Sequence, residues 1–207
     1  MSDKTCWVVL NMKRFFDVIF SFLGMVLLLP VFIMIAILIK VYSKGSVFYI
    51  QKRVGKGNRD FHLYKFRTMI VNVSEQGFIT VGARDDRITR IGYYLRKYKL
   101  DELPQLLNVF KGDMSLVGPR PEVRQYVDLY TPEQKEVLSV KPGITDYASI
   151  EYSNESELLG KAENPQETYI TQIMPSKLKL NLKYIKEQSI LTDIKIILRT
   201  IYRIVDG

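Results

Sequence analysis

The longest stretch of the chain without a charged residue lies between Asp17 and Lys40 and reads VIFSFLGMVLLLPVFIMIAILI. About 20 apolar residues in a helix are enough to cross a lipid bilayer, so this stretch is long enough to enter a membrane. A secretory signal peptide fits less well, because the run is too long and no small-residue cleavage site follows Ile39. The pattern therefore predicts a membrane-inserted helix, with a buried core helix as the alternative.

Pro30 divides this stretch and predicts a break or kink, because proline lacks a backbone N–H and clashes with the preceding helical turn. Basic residues flank the stretch on both sides, and such residues prefer the cytoplasmic side of a membrane. They are Lys13, Arg14, Lys40, Lys44, Lys52 and Arg53. Two basic flanks favour a re-entrant helix that dips into the membrane and returns, over a helix that spans it. We therefore divide the chain into a membrane segment, residues 1–44, and a domain of residues 45–207.

The end of the chain carries a second amphipathic pattern, SILTDIKIILRTIYRIV, in which the apolar residues recur at helical spacing. Lys195, Arg199 and Arg203 recur every fourth position on another face of the same predicted helix. A basic amphipathic helix of this kind is typical of a helix that lies among lipid headgroups. A helix that packs on the domain core is the alternative.

Between these ends, the alternation and turn residues of segment 45–67 predict a β-hairpin with its loop near residues 55–60. Lys65 and Arg67 are two positions apart and share a face of the second strand, whereas His62 faces the other way and is interpreted as a structural or surface residue. A polar loop is predicted near residues 74–87, and KPGITD is predicted to form a turn. Helical spacing predicts further helices near residues 88–98 and 174–188.

The composition limits the chemistry. The chain has 207 residues, a net charge of +8, one cysteine (Cys6) and one histidine (His62). An internal disulfide and a Cys/His zinc cage are therefore excluded, and a catalytic triad would have to use His62. Carboxylates, Arg, Lys, Tyr and a hard cation such as Mg²⁺ are left as the means of catalysis.

The densest polar pattern surrounds the adjacent carboxylates Asp101 and Glu102, which precede Pro104 and a short apolar run that Gly112 ends. An Asp followed by a proline is typical of a helix start, so a capping Asp and a dipole-compensating Glu are one interpretation. The other is that a carboxylate at this position serves as a nucleophile or a metal ligand.

Arg120 stands between Pro119 and Pro121, whose rings restrict the backbone and present the guanidinium from a stiff loop. Such an arginine suits bidentate phosphate recognition, although the same string also fits a plain surface turn. Further cations precede the acidic pair in the sequence, and together they fit a phosphate site with Mg²⁺. They are Lys65, Arg67, Arg84, Arg87 and Arg90.

Three motifs, KFRTM, LDELPQLLNVFKGDMSLVGPRP and KPGIT, closely resemble those of the bacterial sugar transferases. These are monotopic polyprenyl-phosphate phosphoglycosyl transferases, which start glycan assembly. The resemblance covers nearly the whole chain. It implies a mainly helical α+β fold with a re-entrant N-terminal membrane helix, a small β-hairpin and a helical catalytic domain with interfacial amphipathic helices.

The resemblance further implies transfer of a phosphosugar from a UDP-sugar to undecaprenyl phosphate, with release of UMP and a requirement for Mg²⁺. Asp101 would attack the β-phosphorus and form an aspartyl phosphosugar intermediate, and Glu102 would assist by metal or proton handling. Lys65, Arg67, Arg90 and Arg120 would bind phosphate. The implied location is the bacterial inner membrane, with the catalytic domain on the cytoplasmic face.

Two positions depart from the family pattern. Many members have Ser-Pro at the membrane break, where this chain has Leu29-Pro30, so the re-entrant geometry depends more on Pro30 and on packing. After KPGIT many members continue with Gly-Trp-Ala-Gln, whereas this chain continues with Asp146-Tyr147-Ala148-Ser149. Because this region lies near the substrate-recognition end of the family, the donor sugar is not carried over.

Two other function classes compete with a transferase. A net charge of +8 and 13 tyrosines fit a nucleic-acid-binding protein, but the basic residues flank apolar segments and do not form an aromatic-interleaved stripe. A non-catalytic membrane-surface scaffold is the third class, in which Asp101 and Arg120 would be structural. The expectation is a membrane enzyme that binds no nucleic acid, and the sequence leaves open whether its copies form a homo-oligomer.

Overall fold

A computed structural model of the chain describes residues 3–70 and 85–206. The helices are α1 (Asp3–Leu27), α2 (Leu29–Tyr42), α3 (Arg90–Lys97), α4 (Gln105–Lys111), α5 (Arg124–Val127), α6 (Tyr147–Glu151), α7 (Glu155–Gly160), α8 (Pro165–Thr168), α9 (Met174–Glu187) and α10 (Ile190–Asp206). The strands are β1 (Phe48–Val54), β2 (Asp60–Phe66), β3 (Ser115–Val117) and β4 (Gly143–Thr145). The predicted mainly helical α+β class is confirmed. Residues 74–84 of the predicted polar loop, with Arg84, lie outside the described residues.

The apolar N-terminal segment forms two helices that meet at a bend of 59°, with only Leu28 between them. Pro30 lies in the first turn of α2, where its missing N–H costs no intrahelical hydrogen bond. The predicted break is confirmed and precedes the proline. No helix in the described part of the chain is by itself long and apolar enough to cross a membrane, whereas the bent pair has the length and composition of a broken span or a re-entrant loop.

Lys13, one of the basic residues that flank the apolar stretch, is turned into the domain. Its ammonium donates hydrogen bonds to the Val117 carbonyl at 3.0 Å and to the Tyr184 hydroxyl at 3.1 Å. It also forms an ion pair with Asp193 of α10, and the side chains of the pair are only 11% and 14% exposed. A buried ammonium needs such partners, because water no longer compensates its charge.

Arg14 and Asp17 extend this contact along α1. Arg14 donates to the carbonyl oxygens of Val109 at 2.6 Å and Phe110 at 2.9 Å, near the end of α4, where a cation offsets the helix dipole. Asp17 accepts a hydrogen bond from the Leu116 N–H at 3.0 Å. We call Lys13, Arg14 and Asp17 the polar turn of α1. It fastens the apolar segment to α4, β3 and α10.

The predicted hairpin is confirmed, with β1 and β2 antiparallel and Tyr49 opposite Lys65. The predicted turn at KPGITD is wrong, because residues 143–145 form β4, which pairs in parallel with β3. The pairing needs two glycines, since a Cβ on Gly143 would lie 2.0 Å from the Gly118 nitrogen. The GPRP and KPGIT motifs therefore meet as one unit.

The predicted helices near residues 174–188 and at the end of the chain are confirmed as α9 and α10. Ile196 of α10 is fully buried against Val117 and Tyr184. A separate apolar cluster joins α2 to the domain through Ile35, Ile39, Phe66 and Leu95. Partly buried Leu100 and Leu103 pack against that cluster, so the residues on both sides of the acidic pair belong to the same apolar cluster as α2.

Candidate active site

Asp101 and Glu102 lie in a single 3-10 turn between α3 and α4. Lys99 precedes this turn with φ 55° and ψ 19°, a left-handed conformation that costs a non-glycine residue about 1–2 kcal/mol. α4 starts only after Pro104, which occupies the cap position without a side-chain hydrogen bond. The interpretation of Asp101 as an N-cap is therefore wrong, because Glu102, Leu103 and Pro104 lie between it and the first residue of α4.

Glu102 is buried and accepts hydrogen bonds from two cationic side chains. The Lys65 ammonium donates to Oε1 at 2.8 Å, and Arg120 Nη1 donates to Oε2 at 3.3 Å. Arg120 Nη2 also donates to Oε1, which makes this contact bidentate. The fold thus brings together three residues that the sequence singled out, although they come from a strand, a turn and a proline-flanked loop.

The two cations fix the protonation state of Glu102. Burial alone would raise its pKa, but Arg120 and Lys65 outweigh burial and hold the pKa well below 4.5. Burial lowers the pKa of Lys65, and the charge of Glu102 opposes this effect. The charge of Glu102 in turn raises the pKa of Arg120 above its usual value. Glu102 is therefore an anion at neutral pH and does not carry a proton that it could donate.

Asp101 differs from its neighbour although it is equally buried, with 7% of its surface exposed. No Lys or Arg among the described residues forms a salt bridge with its carboxylate, whereas Glu102 has two such partners. Burial raises the pKa of Asp101 above 3.8, and Lys65 offsets the rise only in part. Adjacent carboxylates whose surroundings shift their pKa values in opposite directions are typical of groups with different roles in a reaction.

Lys65 reaches Glu102 because β2 is tied to α4 by Asn108, whose side chain is fully buried. The Asn108 side chain accepts a hydrogen bond from the Tyr64 N–H at 3.0 Å and donates one to the His62 carbonyl at 2.7 Å. The Asn108 side chain thus bonds an N–H and a carbonyl of β2 on the edge away from β1, as a neighbouring strand would. Tyr64, one of these residues, directly precedes Lys65. His62 itself is exposed, which confirms its interpretation as a surface residue.

Arg120 is held by the contact between the GPRP and KPGIT motifs. The Gly118 N–H donates to the Thr145 carbonyl at 3.0 Å, and the Gly143 N–H donates to the Pro119 carbonyl at 3.0 Å. The Arg120 side chain is 34% exposed, so its guanidinium contacts Glu102 and remains accessible from solvent. The predicted stiffness of the loop thus comes from a paired strand as well as from the prolines.

Arg67 and Arg90, also predicted to bind phosphate, do not contact the acidic pair. Arg67 directly follows β2 and donates to the carbonyls of Lys44 at 2.7 Å and Ser43 at 3.0 Å, just beyond α2. A guanidinium at the end of a helix is stabilising there, and these bonds engage both Nη atoms of Arg67. Arg90 is exposed at the first residue of α3 and forms no ion pair with a described residue.

Sequence reasoning missed two cations beside Asp101. The charges of Arg96 and Lys99 both act to lower the Asp101 pKa, against the effect of burial. A signal was present, since α3 ends in Arg96-Lys97 a few residues before the acidic pair. Arg96 and Lys99 thus join Lys65 and Arg120 among the cations whose charges act on the acidic pair. Such a concentration of positive charge favours a phosphate-bearing ligand.

The two carboxylates were also predicted to bind Mg²⁺. The described residues contain no cluster of three or more His, Cys, Asp and Glu side chains suited to a metal. Mg²⁺ commonly takes only one or two protein carboxylates and fills its other positions with water and substrate phosphate. The pair fits that pattern, because Asp101 carries no salt bridge to a described residue and Oε2 of Glu102 accepts only the long bond from Arg120.

Comparison with known proteins shows that the chain matches the model of one protein family. Residues 8–207 match the model of the family described as bacterial sugar transferase. The chain is 39% identical, over 94% of its length, to the UDP-N-acetylgalactosamine-undecaprenyl-phosphate N-acetylgalactosaminephosphotransferase of Aeromonas hydrophila. It is 34% and 36% identical to the UDP-glucose:undecaprenyl-phosphate glucose-1-phosphate transferases of Escherichia coli (strain K12) and Caulobacter vibrioides, over 93% and 91% of its length.

The share of each relative that the chain covers varies. It spans 44% of the Aeromonas protein and 40% of the Escherichia coli protein, but 68% of the Caulobacter protein. The region in common includes the acidic pair, the GPRP loop and the bent N-terminal helices.

Proposed function

The chain belongs to the bacterial sugar transferase family, and we propose that it transfers a phosphosugar from a UDP-sugar to undecaprenyl phosphate. The observation that carries this proposal is Asp101, a buried carboxylate that has no salt bridge and no hydrogen bond from a described residue and directly precedes Glu102, which binds Lys65 and Arg120. The names of the relatives support the same reaction. They differ in the sugar, N-acetylgalactosamine or glucose, so the proposal does not include a particular donor.

In the proposed reaction, a carboxylate oxygen of Asp101 attacks the β-phosphorus of the UDP-sugar. The bond from that phosphorus to the bridging oxygen breaks, UMP leaves, and an aspartyl phosphosugar forms. A phosphate oxygen of undecaprenyl phosphate then attacks the same phosphorus and restores the carboxylate. Covalent catalysis suits this case, because it divides a transfer between a soluble and a lipid substrate into two steps at one site.

Glu102 serves in this proposal as a fixed anion that aligns Lys65 and Arg120. Its pKa lies well below 4.5, which argues against the proton-handling role. The two cations would face the phosphate groups and offset the charge that develops during attack. Mg²⁺ would be held by Asp101 and the free lone pairs of Glu102, and it would neutralise diphosphate charge when bound.

We also propose that α1 and α2 form a re-entrant hairpin, with residues 1–44 in or at the inner membrane and residues 45–207 on the cytoplasmic face. Many apolar side chains of the bent pair are exposed, which supports burial in lipid. Leu100 and Leu103, on both sides of the acidic pair, pack against the apolar cluster that contains Ile35 and Ile39 of α2, which supports a site near this hairpin. A site at the membrane boundary is accessible to both substrates.

α10 supports the same orientation, because it has two apolar faces. Ile196 is buried in the domain, whereas a second arc of large apolar residues is exposed. That arc comprises Leu191, Ile194, Leu198, Ile201, Tyr202 and Val205. Lys195, Arg199 and Arg203 lie beside it on the helix. We propose that α10 packs on the domain with one face and on anionic lipid with the other.

The reaction is tested with the purified chain in lipid nanodiscs, undecaprenyl phosphate, Mg²⁺ and a panel of UDP-sugars that includes UDP-glucose and UDP-N-acetylgalactosamine. We expect UMP release with at least one donor, and loss of release with EDTA. A labelled sugar should become attached to the protein when the lipid is omitted, and Asp101→Asn should abolish this label. UMP release by no donor, or full activity of Asp101→Asn, would contradict the proposal and favour a scaffold.

Membrane topology is tested separately by thiol labelling in a Cys6→Ser background. Ser2→Cys should react with a membrane-impermeant reagent only after the cells are permeabilised, as should Lys52→Cys, whose side chain is 71% exposed on the domain. Labelling of Ser2→Cys in intact cells, with Lys52→Cys protected, would indicate a spanning helix instead.

A further inference from the structure

Asp146 is fully buried, and its two carboxylate oxygens serve different partners. Oδ1 accepts a hydrogen bond from the Ser149 N–H at 2.6 Å and so caps the start of α6. Oδ2 accepts one from the backbone N–H of Arg120 at 3.2 Å. No Lys or Arg among the described residues forms a salt bridge with this carboxylate, so the two backbone amides are its direct partners.

The hydrogen bond from the Arg120 N–H to Asp146 lies between the two prolines of the GPRP loop. Pro119 and Pro121 have no N–H, so Arg120 provides the only backbone donor of these three residues. The backbone bonds between the GPRP and KPGIT motifs end at Pro119 and Thr145. Asp146 follows Thr145 and extends this pairing by one residue with its side chain. It thereby fixes the backbone from which the guanidinium reaches Glu102.

Capping alone does not explain a carboxylate at this position. Ser and Asn cap helices about as well as Asp, and Ser does so without placing a charge in the interior. A serine hydroxyl is too short to reach both the start of α6 and the loop. The carboxylate offers two oxygens about 2 Å apart and accepts in two directions at once.

We propose that Asp146 is a positioning residue that holds the backbone of Arg120, so that its guanidinium is aligned with Glu102 and the phosphate of the substrate. The kinetic consequence rests on the proposed function, whereas the hydrogen bond does not. Loss of the bond leaves the Arg120 N–H without its acceptor and lets the loop shift. Displacements of about 1 Å in an active site can reduce rates on the order of 100-fold.

The test uses variants that separate the cap from the loop contact. Asp146→Ser keeps an N-cap acceptor and removes the acceptor for Arg120, whereas Asp146→Ala removes both. Asn164→Ser is the matched control, because Asn164 caps α8, which carries none of the site residues. We expect Asp146→Ser to melt close to the parent, to lose about 10- to 100-fold in kcat, and to leave the KM for the UDP-sugar less affected. Asp146→Ala should also melt at a lower temperature.

Combination with Arg120→Ala distinguishes positioning from an independent effect. If Asp146 acts through Arg120, the double variant Asp146→Ser/Arg120→Ala should be no less active than Arg120→Ala alone. Multiplicative losses, or full activity of Asp146→Ser, would overturn the proposal.

Hydrogen–deuterium exchange gives a readout that does not depend on transferase activity. In the peptide containing residues 118–122, Arg120 is the only amide between two prolines. Its exchange should be faster in Asp146→Ser than in the parent, and unchanged in Asn164→Ser. If the protein transfers phosphosugar from none of the UDP-sugars but the Arg120 amide exchanges faster in Asp146→Ser, the proposed function fails and the structural contact stands. Unchanged exchange would contradict the contact itself.

Discussion

Two buried charge clusters in this molecule differ in how completely their charges are paired. In the cluster around the polar turn of α1, Lys13 is bonded to Asp193, Tyr184 and a backbone carbonyl. In the cluster around the acidic pair, Glu102 has two cationic partners, but Asp101 has no salt bridge to a described residue. Asp17 of the first cluster is also buried and forms no salt bridge with a described residue, but its Oδ1 accepts hydrogen bonds from the Ser115 hydroxyl and the Leu116 N–H. In the second cluster the hydrogen bonds from Lys65 and Arg120 go to Glu102, and no described residue donates one to the Asp101 carboxylate.

Under the proposed function, this difference separates a structural cluster from a catalytic one. The paired and hydrogen-bonded charges of the first cluster hold elements of the fold together. A buried carboxylate with neither a salt bridge nor a hydrogen bond lowers the stability of the fold, and such sites persist where the group is needed for a reaction. The acidic pair contains both kinds of residue at adjacent positions, since Glu102 is tied to cations and Asp101 is not.

The largest expected effect is in Asp101→Asn, which should reduce transfer by roughly 10³-fold or more, since removal of a nucleophile typically costs at least that much. The same substitution should raise the free energy of unfolding by about 0.5–2 kcal/mol at neutral pH, because it replaces an anion that burial disfavours with a neutral isostere. Activity assays and denaturant unfolding in detergent micelles measure the two effects. A loss of both activity and stability would mean that Asp101 is structural.

Glu102→Gln should have the opposite effect on stability. It leaves the largely buried Lys65 and the partly exposed Arg120 without their anion. Breaking a fully buried ion pair typically costs about 3–5 kcal/mol, which is the upper limit of the loss here. Unfolding curves of this variant and of Asp101→Asn, recorded side by side, should therefore shift in opposite directions. Equal shifts would remove the distinction between the two carboxylates.

Lys13→Met breaks the structural cluster and should cost about 3 kcal/mol of stability, because Asp193 loses its cation but keeps its bond to the Tyr184 hydroxyl at 2.7 Å. Lys13→Met/Asp193→Leu should regain much of this loss, since replacement of a whole buried pair by apolar residues is often neutral. The kcat of the folded protein should stay within about twofold of the parent. A loss of kcat in a variant of normal stability would show that this cluster also contributes to the site.

The smallest effect is the pH dependence of the stability difference between the parent and Asp101→Asn. The folded-state pKa of Asp101 lies above 3.8, so the unfolded chain loses the proton first as the pH rises. The parent therefore loses stability relative to the variant as the pH rises from about 3.8 through the folded pKa, and the difference is constant above it. Unfolding curves at several pH values between about 3.5 and 7 measure this difference. A difference that shrinks over this interval would contradict the raised pKa.

The features that could be predicted from the sequence are those that depend on local pattern. Alternation predicted the hairpin of β1 and β2, proline predicted the break between α1 and α2, and helical spacing predicted α9 and α10. The family motifs identified Asp101, Glu102, Lys65 and Arg120. Three of these four side chains are in contact, although no local pattern specifies that contact.

The features that sequence reasoning missed depend on distant partners. Residues 143–145 are a strand only because they pair with β3, and three residues alone carry too little periodicity to predict a strand. Arg67 has the composition of a phosphate ligand, but it binds carbonyl groups at the end of α2. Lys13 has the sequence context of a topological signal, yet it is paired inside the domain. In each case the residue type was compatible with several partners, and tertiary packing selected one.

The ion pair between Lys13 and Asp193 also orders events during biosynthesis, because the two residues are 180 positions apart in the chain. While the apolar helices emerge from the ribosome, Asp193 has not yet been synthesised. Lys13 is a cation without this partner at that stage. Once α10 has been translated and has docked, the same ammonium becomes a structural link that joins the first helix of the chain to the last.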